Sequence, residues 1–264
     1  MKERIIFVQE LLKKQGLFIG DANGVAGDST LAAVNKFAGI DPTWDANRKI
    51  IGIIQLTCKA SGFDPHDVDG YWGPDTENAF NQYLYKQQHG IAPEIWRPED
   101  RTPVNPNHWP VQYTPEFDAF YGPKGSSLVK LQLPYPMKLS WDPASVVSSL
   151  SCHQKVHDSM LKVLTNVLNH YGLDQIKALK LDLFGGCYNE RPIRGGTKWS
   201  MHSWGIAVDF DPDRNKLDWG RDKAAFALKE YEKWFEFWEA EGWVSLGRDR
   251  NYDWMHVQAA KLSS

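Results

Sequence analysis

Four residues of this chain have the types and spacing of a metal-dependent hydrolytic site. His202 and Asp209 lie seven positions apart in Ser200-Met-His-Ser-Trp-Gly-Ile-Ala-Val-Asp-Phe-Asp211, and Asp253-Trp-Met-His256 follows far downstream. Two imidazoles and one carboxylate suffice to hold a zinc ion while leaving a coordination position open, and a further carboxylate is then free to move protons. Asp211 shares the parity of Asp209 and is the competing ligand at this point.

Elements must bring these segments together. Ile206 to Asp211 alternates and reads as a strand, with Ile206, Val208 and Phe210 on one face and Ala207, Asp209 and Asp211 on the other. Small Ala207 leaves room beside Asp209. Gly242-Trp-Val-Ser-Leu246 reads as a strand, Gly247 to Asn251 as a polar turn, and Trp254 to Ala259 as a returning strand. That hairpin, laid against the Asp209 strand, puts His256 and Asp209 on one face.

Further strands are expected at Leu128–Leu133 and Leu179–Phe184. An amphipathic helix is expected between Ser148 and Gly172, carrying Val156, Met160, Val163, Leu164, Val167, Leu168 and Tyr171. His153 and His157 on it read as flank residues rather than ligands, because no partner glutamate accompanies them. Lys223 to about Glu241 reads as an aromatic, core-packing helix. The loop Gly185 to Gly196 holds Arg191 and Arg194 between glycine pairs and suits contact with an anion beside the site.

The front of the chain repeats itself. Val8-Gln-Glu-Leu-Leu-Lys-Lys-Gln-Gly16 aligns with Ile54-Gln-Leu-Thr-Cys-Lys-Ala-Ser-Gly62, and the same shift of 46 carries Asn23-Gly24 onto Asp69-Gly70 without a gap. Each copy reads as helix, glycine-rich loop and helix, with Asp28 or Ser29 capping the second helix of the first copy. Glycines 24, 27, 70 and 73 are expected at positive φ. Prolines 93, 98, 103, 106 and 110 mark an extended connector, pinned by Trp96 and Trp109.

Composition excludes several classes. Hydrophobic residues at 42% and charged residues at 24% fit a globular chain, and a net charge of −3 gives no case for nucleic acid as partner. Three scattered cysteines do not make a disulfide framework. The amino terminus reads as no secretory signal, and no window has the apolar length of a membrane span.

Two resemblances follow from these motifs. Asp69-Gly-Tyr-Trp-Gly-Pro-Asp-Thr-Glu-Asn-Ala-Phe80 resembles the peptidoglycan-binding domain of cell-wall hydrolases, and residues 23–34 resemble it more weakly, with Val25 and Ala26 in place of the Tyr71-Trp72 pair. Ser200-x-His202-x-x-Gly205-x-Ala207-x-Asp209 with Asp253-x-x-His256 resembles the zinc D-Ala-D-Ala carboxypeptidase and L-alanyl-D-glutamate peptidase superfamily, which includes phage endolysins and, as a fold relative, the hedgehog domain.

The resemblance implies an α+β domain, a small antiparallel sheet with helices, preceded by all-α repeats: repeats at 1–42 and 46–90, a linker at 91–111 and a catalytic domain at 112–264. It implies Zn²⁺ held by His202, Asp209 and His256, Asp253 as general base, and Arg191 stabilising the oxyanion or a substrate carboxylate. Arg194, Tyr71 and Trp72 are the expected substrate contacts. The implied activity is peptide-bond hydrolysis in bacterial peptidoglycan by a monomer, made in a host cytoplasm and released through a holin to reach the wall. The competing expectations are a non-catalytic, zinc-stabilised wall-binding or virion protein, a zinc amidase, and a glycosidase, which would need two carboxylates and no metal.

Overall fold

A computed structural model describes residues 1–94 and 104–263, which divide into two compact units, 1–93 and 94–264. Trp96, Pro98 and Pro103 of the expected connector lie outside the described residues. Among the described residues, no helix is long and apolar enough to cross a membrane.

The amino-terminal unit holds α1 (Lys2–Lys14), α2 (Asp28–Val34), α3 (Ala46–Ala60) and α4 (Pro74–His89). The apolar stripes of both sequence copies enter one shared core: Val8, Leu12 and Val34 pack with Ile50, Ile53, Ile54, Cys58 and Ala79. One buried glutamine orders the loop of each copy. The Gln9 amide donates to Asn23 Oδ1, the Val25 carbonyl and Thr30 Oγ1, and its oxygen accepts from Gly24 N–H. Gln55 does the same with Asp69 Oδ1, the Tyr71 carbonyl, Thr76 Oγ1 and Gly70 N–H.

Gly24 and Gly70 have positive φ, as the turn requires, whereas Gly27 and Gly73 are extended residues that cap α2 and α4. The expected cap at Asp28 or Ser29 is therefore replaced by Gly27, with no side-chain bond, and Asp28 is the first helical residue.

The carboxy-terminal unit contains a six-stranded sheet in the order β2-β1-β3-β4-β6-β5. The strands are β1 (Leu128–Leu139), β2 (Asp142–His153), β3 (Leu183–Gly186), β4 (Ala207–Phe210), β5 (Val244–Ser245) and β6 (His256–Gln258). The expected antiparallel sheet is mixed, because β1 and β3 run parallel at Lys138↔Leu183 and Leu139↔Phe184. The crossover is helical: α6 (His157–Ala178) carries the chain back after β2, as parallel pairing demands.

Ser148 to His153, expected within the helix, is the end of β2; Val146, Val147 and Leu150 give it strand character and pair it with β1. The helix starts at His157 and its regular path ends at Gly172, as expected, where φ is 68° and ψ 164°; a second helical stretch then runs on to Ala178. Of the segment 223–241, only α7 (Glu232–Ala240) is α-helix, preceded by two 3₁₀ turns. Gly247 to Asn251, expected as a turn, lies mostly in a short helix, α8 (Leu246–Arg250), because the Ser245 hydroxyl accepts from Arg248 N–H and caps it. A further short helix, α5 (Pro115–Tyr121), is capped by Thr114.

The core under the sheet is aromatic. Phe210 of β4 meets Trp234 edge-on at 5.4 Å, and Trp238 and Trp243 continue the cluster. Trp109, expected to pin a connector to a surface, is itself buried there, its indole N–H donating to the Glu241 carbonyl. Burying each such ring contributes about 2–3 kcal/mol, so β4 is anchored by Val208 and Phe210 while Asp209 is left facing the cleft.

Candidate metal centre

His202 sits in a 3₁₀ turn, Met201–Trp204, that Ser200 opens by accepting from His202 N–H. Gly205 closes the turn at φ +68°. A Cβ there would meet Leu128 Cδ2 at 2.9 Å and His153 N at 3.1 Å, so only glycine fits. The Gly205 carbonyl accepts from His153 N–H at 2.9 Å, which ties the turn to the end of β2.

Asp209 and His256 are direct cross-strand partners in the β4–β6 ladder. The next pair on the same face is Ala207 with Gln258, and the small alanine leaves space for the glutamine side chain. Asp209 Oδ1 lies 3.2 Å from His202 Nε2 and 3.0 Å from His256 Nδ1. The two imidazoles meet at 76° with centroids 5.0 Å apart. One ligand atom from each of His202, Asp209 and His256 falls within 4.8 Å of the others.

The outer hydrogen bonds decide what these atoms offer. His202 Nδ1 donates to the Cys187 carbonyl at 2.7 Å, so its Nε2 presents a lone pair and, although buried, has no hydrogen-bond partner among the described residues. The Gln258 amide nitrogen is committed to Gln112 Oε1 and the Ala260 carbonyl, both at 3.0 Å, which turns its oxygen toward His256. His256 Nε2 donates to that oxygen at 3.1 Å, leaving Nδ1 to face Asp209. Two nitrogen lone pairs thus converge on a carboxylate oxygen, an arrangement that repels itself unless a proton or a cation lies between. Neutral imidazoles with occupied outer nitrogens and one carboxylate form the donor set that suits zinc; the residues fit the ion.

The charges respond accordingly. Burial would raise the Asp209 carboxyl, but His202 and His256 outweigh it and hold the group well below the usual carboxylate range. Burial would lower His256, and Asp209 outweighs that and raises it.

Asp253 lies three residues beyond the end of α8 in the left-handed region, φ +53°. Its N–H donates to the Leu217 carbonyl at 2.9 Å and its own carbonyl accepts from His256 N–H at 3.1 Å. The side chain is buried, with Oδ1 lacking a hydrogen-bond partner among the described residues. Burial pushes this carboxyl up to about 6; Asp209 adds to the rise, while His256, His202 and Arg191 oppose it.

All four groups line one cleft of about 910 Å³, together with Arg191, Arg194, Tyr113 and Tyr252. Arg191 is half-buried and donates to the Pro192 carbonyl, and Arg194 is exposed on the same loop.

Asp211 is not on the Asp209 face. The chain turns to φ +46° after Phe210 and buries the Asp211 carboxylate against Arg214 Nε at 2.5 Å, inside the protein. His153 and His157 are also elsewhere: His153 is bonded to the Tyr121 carbonyl and Lys155 N–H, and His157 to Asp158. Tyr71 and Trp72 belong to the amino-terminal unit. Tyr71 is exposed with the Arg48 guanidinium 4.4 Å from its ring, while Trp72 is half-buried between Arg4 and Phe80.

Sequence reasoning missed Gln258, Cys187 and Leu217. Gln258 had a readable signal, since it follows His256 by two on the same strand face; the other two act through backbone carbonyls, which no residue type reveals.

Residues 194–259 match the family described as D-alanyl-D-alanine carboxypeptidase. The match spans about a quarter of the chain and contains His202, Asp209, Asp253 and His256. It supports a peptidase of that superfamily, whose members are zinc-dependent and act on peptidoglycan-related substrates. Neither the curated proteins nor the solved structures give a significant match.

Proposed function

We propose that the chain is a zinc-dependent peptidoglycan hydrolase of the endolysin type that cleaves a peptide bond in stem peptides or crosslinks. The observation that carries this reading is the convergence of His202 Nε2, Asp209 Oδ1 and His256 Nδ1 beside a buried carboxylate, Asp253, one oxygen of which has no hydrogen-bond partner among the described residues. His202, Asp209 and His256 would hold the metal. When bound, zinc supplies a Lewis acid that polarises a scissile carbonyl and makes water more acidic.

Asp253 takes the proton of the attacking water and returns it to the departing amine. A carboxyl pushed up to about 6 suits both halves of that task near neutrality. Arg191, which lines the cleft close enough to act on the Asp253 charge, stabilises the oxygen that becomes negative. Arg194 contacts the substrate. Tyr71 and Trp72 give the second amino-terminal copy a wall-contacting surface that Val25 and Ala26 do not give the first. In the endolysin reading the protein is a monomer made in a host cytoplasm and reaches the wall after release.

A zinc-stabilised, non-catalytic protein would gain nothing from Asp253, because a buried carboxylate with an unpartnered oxygen costs stability. An amidase would use the same centre on a different bond. Mass spectrometry of purified muropeptides after digestion separates these readings. New α-amino groups within stem peptides or crosslinks are expected; release of intact stems from muramic acid would assign an amidase, and no metal-dependent product would remove the catalytic reading.

A further inference from the structure

The segment from Asn105 to Tyr113 is strapped to the carboxy-terminal unit along its length. Asn107 Nδ2 donates to the Glu241 carbonyl and carboxylate at 2.9 and 3.0 Å, and the Trp109 indole N–H donates to the same carbonyl. Val111 bridges to Lys261, with Lys261 N–H donating to the Pro110 carbonyl and Gln112 N–H to the Lys261 carbonyl, both at 2.9 Å. Tyr113 Oη donates to the Trp199 carbonyl at 2.8 Å. Gln112 is thereby held at the wall of the cleft, and it lies outside residues 194–259, which match the peptidase family.

The Gln112 side-chain oxygen accepts from the Gln258 amide at 3.0 Å. Gln258 is buried, and its amide also donates to the Ala260 carbonyl at 3.0 Å. A carboxamide can occupy one space in two orientations, with oxygen and nitrogen exchanged. In the orientation present, Gln258 Oε1 faces His256 Nε2 at 3.1 Å and can only accept, so that nitrogen carries the proton. Turned over, Gln258 Oε1 would face two other oxygens, Gln112 Oε1 and the Ala260 carbonyl, and its amide would donate to His256 Nε2. The imidazole proton would then sit on Nδ1, the atom 3.0 Å from Asp209 Oδ1 that must be bare to bind a cation. His202 needs no such relay, because its Nδ1 donates to the Cys187 backbone carbonyl, an acceptor that cannot turn over.

We infer that Gln112 is a positioning residue of the metal centre: by holding the Gln258 carboxamide in one orientation, it makes His256 present Nδ1 to the ion. This rests on the reading of His202, Asp209 and His256 as zinc ligands and adds to it a residue supplied by the strap. Without the Gln112 oxygen, one of the two acceptors that forbid the reversed carboxamide is gone, and a buried amide hydrogen loses its partner.

The test is competition for Zn²⁺ between the full chain and a chromophoric chelator. Gln112→Met keeps the shape of the side chain without its acceptor and should weaken zinc binding about 5-fold, the scale of one net hydrogen bond. Gln258→Met should weaken it about 10–100-fold, as loss of the partner of a ligating histidine does. The double variant Gln112→Met/Gln258→Met should match Gln258→Met within about 2-fold, because Gln112 acts through Gln258. Gln112→Glu keeps the acceptor and should bind zinc at least as tightly as the wild type. Wild-type affinity in Gln112→Met overturns the inference. So do losses that multiply in the double variant, as a strap that merely supports the fold would produce. Should Gln112→Met not fold, Gln112→Lys, equally long but only a donor, takes its place, and wild-type affinity there overturns the inference equally. A wild type that takes up no zinc would sink the metal-centre reading as well, whereas a chain that binds zinc with indifference to residue 112 would sink the positioning role alone.

Discussion

Replacing Asp253 by asparagine should weaken catalysis and strengthen the fold at the same time. The carboxyl is buried and stands at about 6 rather than 3.8, chiefly because burial penalises its charged form. That difference corresponds to about 3 kcal/mol of lost stability when the group is ionised. Below pH 3.8 the acid is neutral folded or unfolded and the penalty is absent. It grows as pH rises through about 6 and is complete above it. Asp253→Asn keeps the shape without the charge, so chelator-treated protein at about pH 8 should melt roughly 6–12 °C above the wild type, a gap that closes toward about pH 4. A bound cation would offset part of the penalty, so the gap should shrink in zinc-loaded protein.

The same substitution removes the proton acceptor, and hydrolysis of purified walls should fall by about 10²–10⁴-fold with metal content unchanged. Differential scanning calorimetry across pH and a turbidity assay read the two effects. Undiminished activity in the Asp253→Asn variant would refute the general-base role. A variant no more stable than the wild type in mild alkali would refute the burial argument behind it.

Two other substitutions probe what positions the centre and orders the amino-terminal unit. Gly205→Ala puts a methyl group against Leu128 and the backbone of His153 at a left-handed position; it should cost about 1–3 kcal/mol in chemical denaturation and reduce zinc affinity by displacing His202. Gln55→Ala removes a side chain that satisfies four loop partners; the unit should lose about 2–4 kcal/mol, visible as an earlier unfolding transition, with hydrolysis of small soluble muropeptides unchanged.

The juxtaposition of the site residues was readable because it depends on side-chain parity. Alternation from Ile206 to Phe210 puts Asp209 opposite the core face, and a hairpin returning through His256 places the imidazole next to it. Parity failed one step later. Asp211 escapes the strand by a backbone turn and finds Arg214, which lies three residues on in sequence but is recognisable as a partner only in three dimensions. The mixed sheet was illegible for a similar reason: Val146 to Leu150 has strand chemistry, but it abuts a strong helical stripe, and only pairing with β1 shows where one stops. The 3₁₀ turns before α7 carry the same aromatic spacing as a helix, which Leu228, in extended backbone between them, interrupts.

Metal stoichiometry tests the centre most directly. Protein freed of metal by a chelator should lose wall hydrolysis and regain it on titration with Zn²⁺, reaching a plateau at about one equivalent per chain. His202→Ala should neither retain the ion nor recover activity at that point. Hydrolysis that survives chelation, or a His202→Ala variant that binds one zinc and cleaves walls as the wild type does, would contradict the assignment of His202, Asp209 and His256 as the catalytic metal centre.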